Sequence, residues 1–74
     1  MMFRELDAVV LTRDVPEHAL RLGDLGAIVH MHTDTMVEVE FVRGKGTNAL
    51  VTTLPTSALR TLSETDTLSV RPEE

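Results

Sequence analysis

Apolar and charged residues alternate strictly in the segment VEVEF, residues 37–41. Val37, Val39 and Phe41 form its apolar phase, and Glu38 and Glu40 lie between them. A period of two residues places neighbouring side chains on opposite faces of a β-strand, so that one face packs in the core and the other meets water. The segment therefore predicts a half-buried strand, which favours a fold built from sheets.

Four further segments have the alternation and the flanking turn residues that are typical of short strands. The five predicted strands are residues 6–12, 27–32, 37–42, 48–54 and 67–70. Pro55 is expected to end the fourth strand, because proline cannot donate a hydrogen bond to the ladder. Thr56 or Ser57 then opens a single helical turn that carries Ala58 and Leu59 before the last strand.

The second and third strands constrain the hairpin that joins them. Suppose that Val29 and Met31 face the core together with the apolar residues of the third strand. Each inward residue of the second strand must then lie opposite an inward residue of the third strand. The hairpin loop near Asp34 must then contain an odd number of residues. The inward phase of the fourth strand stays open between Ala49 with Val51 and Leu50 with Thr52.

Five short strands, a long first connection (Arg13–Leu25) and a single helical turn before the last strand predict an all-β, five-stranded SH3-like barrel. The main alternative, an OB-fold, generally has a helix between its third and fourth strands, where this chain has only the glycine-rich turn Arg43–Gly46. The domain is expected to occupy residues 1–70, and residues 71–74 should form a frayed tail.

Composition limits the function classes that are open to the domain. The chain has 74 residues and no cysteine, so disulfides and thiolate metal sites are excluded, and self-association is the expected source of extra stability. The net charge of −5 disfavours nucleic acid and anionic lipid as partners. No run of eighteen apolar residues is present, and a cytoplasmic protein is expected.

The chain resembles a family of short uncharacterised bacterial proteins, DUF4926, over roughly Glu5 to Leu62. The residues that carry the resemblance are Leu6-Asp7 with Val9-Val10-Leu11, Pro16-Glu17-His18, Gly23-Asp24-Leu25-Gly26 and Val39-Glu40-Phe41. The resemblance implies a fold but no activity, and it transfers no catalytic residue.

A shorter segment, Gly23-Asp24-x-Gly26-x-Ile28-Val29, resembles the core of the KOW motif and a segment of the nitrile hydratase β-subunit barrel. We interpret both likenesses as signals of the fold. Gly23 and Gly26 are expected to allow positive φ angles in a tight turn, and Asp24 to accept hydrogen bonds from the amides of that turn.

Aromatic residues are scarce, since Phe3 and Phe41 are the only ones in the sequence. The chain therefore lacks the side chains for a groove that binds proline-rich peptides or for a methyl-lysine cage. It also lacks the stacking platforms of most single-strand binders. An alternative function as a KOW-like RNA or ribosome-associated binder would use Arg43 and Lys45 of the glycine-rich turn. Its assisting residues would be Arg13, Arg21 and Arg60.

His30 and His32 fall on one face of the second strand, with Asp34 beyond them and His18 in the first connection. Imidazole and carboxylate groups can bind a divalent metal. The simpler interpretation, which we favour, is that His30 is exposed and pairs with one of the two glutamates across the hairpin.

The sequence contains no recognisable catalytic residues and no cofactor motif. None of the serines Ser57, Ser63 and Ser69 lies in a recognisable nucleophile turn.

The first connection is unusually apolar for a loop. Val15, Leu20, Leu22 and Leu25 either close one end of the barrel as a plug or contact a second chain. The hypothesis for function is a non-catalytic interaction module that binds another protein or itself through this connection and a sheet edge. A protein partner or a second copy is therefore expected, and no small-molecule substrate is evident.

Overall fold

A computed structural model describes residues 3–43 and 48–62. Its elements, in chain order, are β1 (Ala8–Leu11), a first 3-10 turn (Pro16–His18), β2 (Leu25–Met31), β3 (Met36–Arg43), β4 (Asn48–Pro55), a second 3-10 turn (Thr56–Ala58) and β5 (Leu59–Thr61). The all-β class, the five strands and the single helical turn before the last strand are thus confirmed. Neither of the helical turns in the described part of the chain is long enough to cross a membrane.

The five strands form one antiparallel sheet in the order β4-β3-β2-β1-β5. β3 and β4 pair over their whole length, from Met36 opposite Pro55 to Arg43 opposite Asn48. Pro55 is the last residue of β4, as its missing N–H predicts. The chain then returns to β1, where Leu11 pairs with Leu59.

The last strand that the structure describes, β5, was not predicted from the sequence. It follows the second 3-10 turn directly and contains only Leu59–Thr61, whereas the strand predicted at residues 67–70 lies outside the described part of the chain. Three residues are too few to show a period of two, so the sequence pattern could not identify β5. Leu59, which is buried beside Leu11, fixes the strand through packing.

A β-bulge in β2 changes the predicted phase of that strand. Ile28 pairs with Val39, but the next paired residue, His30, lies opposite Glu38, so Val29 is the extra residue. Ile28 is completely buried and Val29 is 38% exposed. The expectation that Val29 faces the core was therefore wrong, because the bulge shifts the alternation by one residue.

Beyond the bulge, the hairpin follows the prediction. Met31 pairs with Val37, so the five residues 32–36 lie between the paired positions, an odd number. His32 and Met36 continue the hairpin, because the His32 N–H donates to the Met36 carbonyl at 3.0 Å. The position of His30 opposite Glu38 is also confirmed.

The core lies on one face of the sheet. The apolar phase of β3 is buried completely or almost completely, as predicted, and β4 contributes Leu54 with the partly buried Leu50. Thr52, between them in phase, is 9% exposed, whereas Val51 is 48% exposed. The inward phase of β4 is therefore the one that contains Leu50 and Thr52. The other core residues are Phe3, Val9, Leu11, Val15, Leu20, Ile28, Ala58 and Leu59.

Two glycines have different roles at the start of β2. Gly23 has a φ of +94°, which confirms the predicted left-handed turn, and the Arg21 N–H donates to the Asp24 carboxylate at 2.9 Å across this turn. Gly26 does not have a positive φ and lies within β2 opposite Phe41. A Cβ atom there would lie 2.8 Å from Val39 Cγ1, so Gly26 permits close approach of β2 and β3, not a turn.

Candidate interaction site

The long connection between β1 and β2 folds back onto the core. Val15 and Leu20 form a small antiparallel bridge, in which each N–H donates to the carbonyl of the other at 2.9 and 3.1 Å. Ala19 closes the first 3-10 turn in the left-handed region, with a φ of 57°. Val15 and Leu20 are 5% and 1% exposed. Their burial supports the interpretation of the connection as a plug.

The structure places the four predicted contact residues at different depths. Val15 and Leu20 pack in the core with little of either side chain exposed, and their role in partner binding stays a prediction. Leu25 is half-buried at the start of β2, and Leu22 is 66% exposed. Of the four residues, Leu22 alone is well exposed, and its role in partner binding stays a prediction.

Side chains of the connection hold its shape and attach it to β4. The Leu22 N–H donates to Asp14 Oδ1 at 2.8 Å, which ties the two halves of the connection together. His18 Nε2 lies 3.0 Å from the hydroxyl oxygen of Thr52, a residue of β4 that is nearly buried. The connection is therefore fixed at its base and against β4.

A cleft with a volume of about 390 Å³ lies between the connection and the end of β4. It is open to solvent and joins segments that are far apart in the sequence. Its lining consists of Arg13, Asp14, Val15, Glu17 and His18 from the connection and Thr53, Leu54 and Pro55 from β4. Sequence reasoning identified the connection and a sheet edge as contact regions, but it did not pair the connection with this strand.

The two walls of the cleft differ in chemistry. The connection supplies charged side chains of both signs, Arg13, Asp14 and Glu17, all of them exposed. β4 has the sequence NALVTTLP and carries no charge. Within the described residues, β3 is the only strand that pairs with β4, so β4 is an edge strand of the sheet. Long, uncharged edge strands can pair with another chain.

His30 and His32 lie side by side, but His18 does not join them. His30 Nδ1 lies 3.7 Å from Glu5 Oε2, and His32 Nε2 lies 3.9 Å from Glu38 Oε1, with the two imidazole rings 4.6 Å apart edge to face. His18 contacts Thr52 instead. The described residues contain no group of three or more potential metal ligands. His30 pairs with Glu5 and not with the opposed Glu38, which corrects the predicted pairing across the hairpin.

The basic turn of the RNA alternative falls largely outside the described residues. Arg43 is the last residue of β3, and Lys45 lies in the segment 44–47 that the structure does not describe. Of the arginines that were expected to assist, Arg13 lines the cleft and Arg60 lies in β5.

In the part of the chain that the structure describes, the protein is an all-β domain. It has one five-stranded antiparallel sheet and a structured first connection that lies beside an edge strand. A comparison with protein families matches residues 5–61 to the Domain of unknown function DUF4926. The chain belongs to this family. Comparisons with curated proteins and with solved structures found no match.

Proposed function

We propose that the domain is a non-catalytic interaction module that binds an extended segment of another polypeptide chain in the cleft between the connection and β4. The observation that carries the proposal is the position of the cleft, where charged side chains face the end of an uncharged edge strand. A segment that lies along β4 would gain main-chain hydrogen bonds from the strand. Arg13, Asp14 and Glu17 would select its side chains.

The fixed shape of the connection supports binding with little loss of conformational entropy. Val15 and Leu20 anchor it in the core, and the contact between His18 and Thr52 attaches it to the neighbouring strand. A preformed surface reduces the entropic cost of association. The same contact gives His18 a structural role, which supports a binding function over a catalytic one.

The strand order supports assignment of the sheet to the SH3-like barrel class, with the first connection in the place of its long loop. We expect the module to act in the cytoplasm. The family match covers residues 5–61 and describes no activity, which is compatible with a module whose function lies in its contacts.

The test is capture of binding proteins on the immobilised domain from lysate of its host, with and without nuclease, followed by mass spectrometry. Wild type is compared with Glu17→Lys, in the cleft, and with Asp34→Lys, in the β2–β3 loop. Both substitutions change the net charge by the same amount at exposed positions. We expect a stoichiometric protein that resists nuclease and is lost only with Glu17→Lys.

Two outcomes would contradict the proposal. Equal loss with both variants would show that overall charge, and not the cleft, determines capture. Recovery of ribosomal proteins that disappear with nuclease would favour the RNA alternative, since phosphate contacts also weaken steeply as salt is raised.

A further inference from the structure

On the solvent face of the sheet, apolar residues of β2, β3 and β4 surround Glu40. The register places Ala27 and Val51 on either side of Glu40 in adjacent strands, and Val42 lies two residues further along β3. Val29, at the bulge, continues the outward phase of Ala27. We call these five residues the outer patch. Val29, Val42 and Val51 are 38%, 44% and 48% exposed.

This composition departs from what a solvated sheet face requires. An antiparallel sheet with one face on the core normally alternates apolar inward and polar outward residues. Here, the outward positions of β2 and β4 beside Glu40 hold alanine and valine. Adjoining exposed apolar side chains that are bordered by polar residues are a feature that many interaction sites share.

Glu40 determines which partner would fit. It is half-buried between Ala27 and Val51, and no cation pairs with it among the side chains that the structure describes. Aliphatic neighbours reduce the exposure of its carboxylate to water, so a cation that docks there forms a stronger bond than it would on an open surface. The net charge of −5 also favours the approach of a basic partner through long-range electrostatic attraction.

We propose that the outer patch binds a second protein through a lysine or arginine that is surrounded by aliphatic side chains. The basic side chain would meet Glu40, and its aliphatic neighbours would pack on the three valines. A twofold dimer of this chain is disfavoured, because a shared patch would bring two Glu40 carboxylates together. None of the five residues lines the cleft, so this proposal and the proposed function can fail separately.

The test uses synthetic nonapeptides with valine and leucine around a central arginine, lysine, methionine or glutamate. Fluorescence anisotropy measures affinity, and ¹⁵N chemical shifts locate the bound peptide. We expect the arginine and lysine peptides to bind about tenfold more tightly than the methionine peptide, as a charge-assisted bond to Glu40 requires. The shifted amides should be those of the outer patch.

Two variants separate charge from apolar contact. Glu40→Lys should reverse the order, so that the glutamate peptide binds best. Val51→Thr, which retains β-propensity, should weaken all peptides without changing their order. Thermal unfolding confirms that both variants are folded.

Two results would overturn the proposal: an affinity order that Glu40→Lys does not reverse, or shifted amides that lie outside the outer patch. Sedimentation equilibrium tests the competing occupant. A dimer that Glu40→Gln strengthens would assign the patch to a second copy and contradict the proposal.

Discussion

Gly26→Ala tests the close approach of β2 and β3. The new Cβ would lie 2.8 Å from Val39 Cγ1, 2.9 Å from Phe41 Cδ1 and 2.9 Å from the Glu40 carbonyl oxygen. Carbon atoms normally pack at about 3.5–4.0 Å, so the neighbours would have to move by roughly an ångström. Val39 and Phe41 are fully buried core residues, and the carbonyl belongs to the backbone of a central strand. Relaxation at this site is therefore restricted.

The expected cost follows from two opposing effects. Overpacking a core costs about 1–3 kcal/mol, and the lower chain entropy of alanine in the unfolded state recovers about 0.4–1 kcal/mol. The net loss therefore lies between about 0 and 2.6 kcal/mol, and because one of the clashes is with backbone, we expect about 2 kcal/mol, in the upper part of this net range. This loss would lower the melting temperature by roughly 8–16 °C in a domain of this size.

Urea unfolding, followed by far-ultraviolet circular dichroism, measures this loss as a lower midpoint with an unchanged slope. A Gly26→Ala variant within about 0.5 kcal/mol of wild type, the range of ordinary surface substitutions, would refute the reasoning. The register that places Gly26 opposite Phe41 would then be wrong.

Three matched comparisons extend the stability predictions, each measured by the same urea titration. Gly23→Ala should lower the free energy of unfolding by about 1–2 kcal/mol because the φ of Gly23 is +94°. Gly23→Asn should lower it less, since asparagine tolerates a positive φ, and equal losses would argue against backbone strain at this position. Leu20→Ala should cost about 2–5 kcal/mol, but Leu22→Ala less than about 0.5 kcal/mol, and a similar loss in both would contradict the plug. Thr52→Val should lose about 0.5–1.5 kcal/mol with the contact to His18, whereas the same change at the exposed Thr53 should be nearly neutral. If the two threonine variants behave alike, the contact contributes nothing to stability.

The sequence predicts the structure best where the local pattern of apolar and charged residues alone determines which side chains are buried. From Val37 to Phe41, β3 has charged and apolar residues in strict alternation, and the inward side chains of this segment are those that the pattern indicates. Pro55 and the turn that follows it are equally local features, since the missing N–H of proline acts on its own strand. These parts required no knowledge of distant residues.

The remaining differences arise from contacts between distant segments. The bulge at Val29 depends on how β2 pairs with β3, and Ile28 gives no local sign that it replaces Val29 in the core. The cleft joins the connection to Thr53 and Leu54, which are separated from it by two strands along the chain. The one feature of the sequence that could have indicated β4 as a wall of the cleft was its long uncharged stretch, which is unusual for an edge strand.

Amide hydrogen exchange of the domain, alone and in complex with its captured partner, tests the central claim most directly. If an extended segment binds in the cleft, exchange should slow at Thr53 and Leu54 of β4 and at residues 13–15, 17 and 18 of the connection, while the β2–β3 loop around Asp34 is unchanged. Protection that leaves Thr53, Leu54 and the connection as they are in the free domain would contradict the cleft as the binding site.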